Sequence, residues 1–171
     1  PSTGEAVHYR APDFVLTGQN GELFSQKDVR GKIHVVDFFF TSCPTICPQM
    51  TTHLKDVQEQ FEGNDRVSIL SYSIDGANDT PEVLSNYAEA YGIDQKQWKL
   101  LTGNPSDIFE LSRGYKVMAF DDSLGNDRNL VHDGTFVLLD SRRRIRGYYN
   151  GLDPEDTQRL ISDMKILLKT L

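Results

Sequence analysis

No run of apolar residues in this 171-residue sequence exceeds four; Val117–Phe120 and Phe136–Leu139 are the longest. A membrane-spanning helix needs about twenty, so no segment reads as one. Basic excess is missing too: 18 Lys and Arg stand against 25 Asp and Glu, for a net charge of −7. That balance argues against a nucleic-acid or anionic-membrane binder, whose face would be basic. The longest block of like charge is Arg142–Arg144, so there is no charged tail. Repeats, linkers and low-complexity stretches are absent. At about 150 residues per domain the length fits one domain, 1–171, large enough to bury a core without a disulfide scaffold. The opening Pro1-Ser2-Thr3-Gly4 carries neither an initiator Met nor a charged-then-apolar leader, so an N-terminal signal or anchor is expected to be missing from this chain.

Cysteine is scarce as well, but the two present are adjacent: Cys43-Pro44-Thr45-Ile46-Cys47. A disulfide closing so short a loop adds little stability. A close pair therefore points to redox or metal chemistry rather than to a staple.

The order of elements alternates. Phe14–Phe24 reads as a hairpin around Asn20-Gly21, and Ser25–Arg30 as a helical turn ended by Gly31. Ile33–Phe40 is almost continuously apolar, as a central strand covered on both faces would be. After the cysteines, Met50, Leu54, Val57 and Phe61 recur at helical spacing, with Pro48 in the first turn and Gly63 as the stop. Arg66–Ile74 reads as strand, and Thr80-Pro81 opens a helix closed by Gly92. Trp98–Leu101 is a short strand and Ser106–Arg113 a brief helix. Phe120–Asn129 is polar and reads as an exposed loop. Thr135–Asp140 and Ile145–Tyr149 form a second hairpin, whose basic turn, Ser141–Arg146, reads as a solvated one, with docking of an acidic partner as the alternative. Asp153-Pro154 starts a last helix with an apolar stripe from Leu160 to Leu168. This is an α/β pattern with a mixed central sheet flanked by helices. It sets the cysteines at the carboxyl end of a central strand, the edge where open α/β sheets gather catalytic and ligand groups.

Cys43 and Cys47, four residues apart at a helix start, point the same way and can close a disulfide or share a soft metal ion. A helix N-terminus favours thiolate, the form that attacks disulfides and ligates metal. A peroxidatic cysteine fits less well, since it needs one activated thiol rather than a rigid pair. A metal site needs a further ligand. His8 lies in the N-terminal segment and reads as solvated, and His34 as a satisfied core or edge residue. His53, six residues past Cys47, sits about 240° around the helix and faces away. His132 precedes the strand Thr135–Leu139, on the same edge as the cysteines. Asp37, six residues before Cys43, is either a buried acid serving the thiols or a strand-edge hydrogen-bonding group.

The segment Phe38-Phe39-Phe40-Thr41-Ser42-Cys43-Pro44-Thr45-Ile46-Cys47-Pro48 resembles the copper motif of the Sco/SenC family, Cys-Pro-x-x-Cys-Pro after an aromatic strand with a distant His. Ala11-Pro12-Asp13-Phe14, Ser73-Ile74-Asp75 with Asp79-Thr80, Leu101-Thr102-Gly103 and His132 before Phe136–Leu139 fall in the family's order, over nearly the whole chain. Where the family usually has Asp-Pro-Glu-x-Asp, this chain reads Asp75-Gly76-Ala77-Asn78-Asp79, and His132 precedes rather than follows an Asp.

The resemblance implies a thioredoxin-like fold with an extra N-terminal β-hairpin. It implies a copper metallochaperone for the binuclear copper site of cytochrome c oxidase, with Cys43, Cys47 and His132 as ligands of Cu(I), Cu(II) or both. Soft Cu(I) suits the sulfurs; zinc fits less well, since structural zinc sites close with four protein ligands. The partner implied is the copper-bearing subunit of the oxidase or another copper-handling protein. The location implied is periplasmic or otherwise extracytoplasmic, on a removed N-terminal anchor. The alternative is a thiol–disulfide reductase that keeps the oxidase's copper-ligand cysteines reduced, Cys43 attacking and Cys47 resolving. Thioredoxin's oxidoreductase relatives keep a cis-proline facing the cysteines, and no Pro occurs between Pro105 and Pro154 here.

Overall fold

The computed structural model describes residues 10–43, 46–115, 119–121, 130–132 and 134–170. Seven strands form one mixed sheet. The hairpin β1 (Val15–Gly18) and β2 (Leu23–Ser25) turns at Gly21, whose φ of 79° suits glycine. A 3-10 turn (Gln26–Val29) follows, capped at Ser25 by a reciprocal bond with Asp28. Then come β3 (Ile33–Phe39), α1 (Ile46–Gln60), β4 (Val67–Ser73), α2 (Pro81–Tyr91), β5 (Trp98–Thr102) and α3 (Pro105–Gly114). The chain closes with the short pair β6 (Ala119–Asp121) and β7 (Leu130–His132), the hairpin β8 (Thr135–Leu139) and β9 (Ile145–Asn150), and α4 (Pro154–Leu168).

Sheet order is β2-β1-β5-β4-β3-β8-β9. β3 and β4, at the centre, are buried along their whole lengths and pair in parallel, as do β4 and β5; β8 runs antiparallel to β3, with Val36 opposite Val137. The N-terminal hairpin is not an appendage: β1 pairs with β5 and extends the same sheet. Alternate residues of β3 feed two cores. Ile33, Val35 and Phe39 join the side chains of α1, α2 and α4 on one face. Val36 and Phe38 join α3 and the segment Ala11–Val29 on the other.

The helix starts follow the local chemistry. Thr80 accepts from the Val83 N–H, Asn104 from Ser106 and Asp153 from Glu155, each directly before a proline at the first helical position. Gly92 ends α2 at φ 65°. One expectation fails here: Phe120 and Asp121, read as part of a loop, belong to β6, which pairs antiparallel with β7. A three-residue strand has too little pattern to stand out of a polar run; its partner defines it. Residues 122–129, His8, Pro44 and Thr45 lie outside the described residues.

Candidate metal and thiol centre

β3 delivers the chain to the candidate site. Its last carbonyl, that of Phe39, accepts from the Ile74 N–H, and Cys43 N–H turns back onto the Phe40 carbonyl at 3.2 Å. Cys43 is 8% exposed, and Cys47, the second residue of α1, is 1% exposed. Neither forms a disulfide in this structure, and the Cys43 side chain lies within hydrogen-bonding reach of the Cys47 thiol. The i, i+4 spacing thus brings the sulfurs together as expected, with Cys43 the more accessible.

The expected thiolate is not what the fold provides at Cys47. Burial pushes its thiol far above the ordinary value, and the Cys43 hydrogen bond and the nearby Asp37 add to the rise. Removing the sulfur from water outweighs the partial positive charge of the α1 terminus. A protonated Cys47 is a poor nucleophile, but a metal ion can displace its proton.

Asp37 shares the α1 face of β3 and is buried. Burial raises its carboxyl to about 7, partly offset by a hydrogen bond from the Ser71 hydroxyl to Oδ1. Ser71 in turn accepts from Trp98 Nε1 at 2.9 Å. Tyr87, on α2, closes the site from the side. Its ring centroid lies 5.5 Å from that of Phe39, and its hydroxyl is 2.7 Å from Thr51 Oγ1 on α1.

Asp79 does more than its sequence position suggested. Buried, it accepts from the Thr41 N–H at 3.0 Å, from the Thr41 hydroxyl, and from Ser73 Oγ at 2.7 Å. It therefore clamps the loop before Cys43 to the end of β4. Asp75 holds the same turn: its carboxylate accepts from Asn78 Nδ2, and its backbone carbonyl from the N–H groups of Asn78 and Asp79. The aspartate-x-x-x-aspartate spacing was the available signal; the clamp itself is a contact across 38 residues.

The other histidines divide as follows. His53 Nδ1–H donates to the Gly151 carbonyl at 2.6 Å. His34 is fully buried, but only half satisfied: Nδ1–H donates to Lys32 O at 3.3 Å and Nε2 has no partner. Burial lowers its pKa to about 4. His132 ends β7, in register with Ala119, and its imidazole lies outside the described side chains. Three residues on, β8 enters the sheet antiparallel to β3, beside the strand end that leads to Cys43. Among the described residues no three His, Cys, Asp or Glu side chains gather as a metal cluster.

The SCO1/SenC family model matches residues 3–169. A SCO1 protein homolog of Bacillus subtilis is 32% identical over 164 residues, 94% of this chain and 84% of the relative. A SCO1/SenC family lipoprotein of Bacillus anthracis superposes with a TM-score of 0.86 at 30% identity, over 96% of this chain and 98% of that one. BsSco, a member of the Sco family of cytochrome c oxidase assembly proteins, gives 0.79 at 31% identity over 94% of each chain. Bradyrhizobium japonicum ScoI, solved with copper bound, gives 0.76 at 26% identity over 92% of this chain and 99% of that one. The fold is the thioredoxin-like one these proteins share. With the matched region spanning both cysteines, the clamp aspartates and His132, this chain belongs to the SCO1/SenC family.

Proposed function

We propose that this protein binds copper and hands it on during cytochrome c oxidase assembly, with Cys43, Cys47 and His132 as the ligands. The observation that carries the reading is the pair of reduced, buried thiols within hydrogen-bonding reach at the start of α1. Two sulfurs suit Cu(I), and one imidazole nitrogen extends the set to Cu(II). Copper would supply the charge that displaces the Cys47 proton, so binding releases protons and weakens as pH falls. The Asp79 clamp fixes the approach of Cys43, and a ligand set with open positions suits transfer better than storage. The partner is a copper-bearing oxidase subunit or another copper-handling protein. The site of action is an extracytoplasmic membrane face, reached on an N-terminal anchor; copper-bound ScoI and the Bacillus anthracis lipoprotein support these readings by similarity. No helix among the described residues is long and apolar enough to cross a membrane.

The test is copper titration of the fully reduced protein beside His132→Ala and Cys43→Ser/Cys47→Ser. One equivalent of retained Cu(II) with thiolate-to-copper charge-transfer bands is expected, the bands lost in the histidine variant and copper retention lost in the double variant. Unchanged stoichiometry in the double variant would refute the site.

One observation favours a second reading. Asp37, near Cys47 and raised to about 7, can accept the Cys47 proton. In a thiol–disulfide reductase, Cys43 thiolate attacks a partner disulfide, forming a mixed disulfide and expelling one partner thiolate. Cys47, deprotonated by Asp37, then displaces the second partner sulfur and leaves a Cys43–Cys47 disulfide. Oxidation of the thiols by Cu(II) without retained copper would favour this reading. Dithiol exchange surviving His132→Ala would be its positive sign.

A further inference from the structure

Far from the cysteines, the amino-terminal ends of β3 and of the 3-10 turn meet the β8–β9 turn. Because Leu139 pairs with His34 near the start of β3, this pole lies the length of a seven-residue strand from Cys43, roughly 20 Å. Here a cleft of about 220 Å³ is lined by Arg10, Lys27, Arg30, Arg142 and Arg143, with Asp13 the one acid in its wall among the described residues. The net charge of −7 conceals this face. The sequence placed only the basic turn here; the fold adds Arg10, Lys27 and Arg30.

The nearby acids are already committed. Asp13 pairs with Arg143 at 2.6 Å. Asp28 accepts from the Ser25 N–H. Asp140 pairs with Arg144 and Arg146 and accepts from two backbone N–H groups of the turn. Arg10, Lys27, Arg30 and Arg142 consequently carry exposed charges with no carboxylate in salt-bridge contact among the described residues. The scaffold beneath them is fixed. Arg143, only 5% exposed, donates to Asp13 and to the carbonyls of Ala11 and Pro12, tying the strand-like segment after Arg10 to the turn. It does so with φ at 63°, the left-handed region that a non-glycine residue adopts at a cost.

We infer that this cleft is a binding site for a phosphate-bearing anion. Converging guanidinium and ammonium groups around a small concavity match a compact, multiply charged oxyanion with several acceptor oxygens. An extended acidic protein segment would need a groove rather than a pit. The inference does not depend on the copper reading, since none of the lining residues belongs to the thiol centre.

The experiment uses the reduced, metal-free protein at low salt. Amide NMR shifts are followed during titration with inorganic phosphate and pyrophosphate, and co-sedimentation is measured with phosphatidylglycerol vesicles against phosphatidylcholine ones. Saturable shifts at Lys27, Arg30, Ser141 and Arg142 are expected in the first arm if the free anion is taken. Sedimentation with anionic vesicles alone is expected in the second if the phosphate is a lipid headgroup. Arg30→Glu and Arg142→Glu, both at exposed side chains, should each weaken the binding by about tenfold. Arg113→Glu, on α3 and changing the net charge equally, should leave it unchanged. Thermal unfolding confirms that each variant is folded. No saturable binding in either arm, or equal loss in the Arg113 variant, would overturn the inference.

Discussion

Asp37 and His34 lie three residues apart on β3, both buried, and their protons pull stability in opposite directions. Asp37 titrates near 7 in the fold and 3.8 when free. Between those values the folded chain holds a proton that the unfolded chain has lost, so this group's contribution falls as pH rises. His34 titrates near 4 in the fold and 6.5 when free. Between those values the unfolded chain holds the extra proton, so its contribution is full above 6.5 and is lost as pH falls toward 4. Each span corresponds to roughly 3–4 kcal/mol, and across the shared window from about 4 to 6.5 they nearly cancel. Asp37→Asn keeps an oxygen for the Ser71 hydroxyl and removes one side of the balance. Urea unfolding of this variant should show stability climbing between pH 4 and 6.5, where the parent is nearly flat. A variant curve parallel to the parent's would mean that Asp37 titrates in the fold as it does in water.

At the scale of elements, the loop between β4 and α2 is the piece that sets the thiol centre, and a glycine lets it sit where it does. A Cβ on Gly76 would lie 2.1 Å from the Gly103 carbonyl oxygen, an overlap with backbone that no rotamer relieves. Gly76→Ala must therefore push the turn Asp75–Asp79 away from the β5–α3 connection and carry the Asp79 clamp with it. A loss of about 2–3 kcal/mol is expected from overpacking, together with weaker copper retention. Gly21→Ala, in the distant hairpin with open space around it, should cost only about 1–2 kcal/mol for its positive φ and leave copper binding intact. Comparing unfolding midpoints and copper affinity in the two variants separates the loop's role from general destabilisation. This loop also marks where the sequence stops being legible. The hairpin at Asn20-Gly21, the helix from Pro81 to Tyr91 and the cysteine spacing are local signals, and all are seen in the fold. The Asp79–Thr41 contact, the β1–β5 pairing, the β6–β7 pair and the protonated state of Cys47 depend on residues distant in the chain. For Cys47 the local signal even pointed the wrong way, because a helix start is visible in sequence and burial is not.

Across the whole molecule, one central strand serves two cores. Ile33, Val35 and Phe39 are shared with α1, α2 and α4, whereas Val36 and Phe38 are shared with α3 and the N-terminal segment. Neither face can lose its packing while β3 keeps its place, because stripping either one would expose a mainly apolar strand face on which His34 or Asp37 is the single polar side chain. The two cores should unfold together. The single tryptophan, Trp98, belongs to the first core and reports on it by fluorescence; Ile108, fully buried on α3, belongs to the second. Ile108→Ala removes buried methyl groups and should cost roughly 2–5 kcal/mol. If the cores are one cooperative unit, this change shifts the Trp98 fluorescence midpoint and the far-UV circular dichroism midpoint by the same amount. A Trp98 transition that stays in place while the circular dichroism curve moves or splits would show that the α3 face melts alone. The thiol pair would then be expected to keep its surroundings through that first transition, since both cysteines and the side chains packed around Cys47 from α1 belong to the first core.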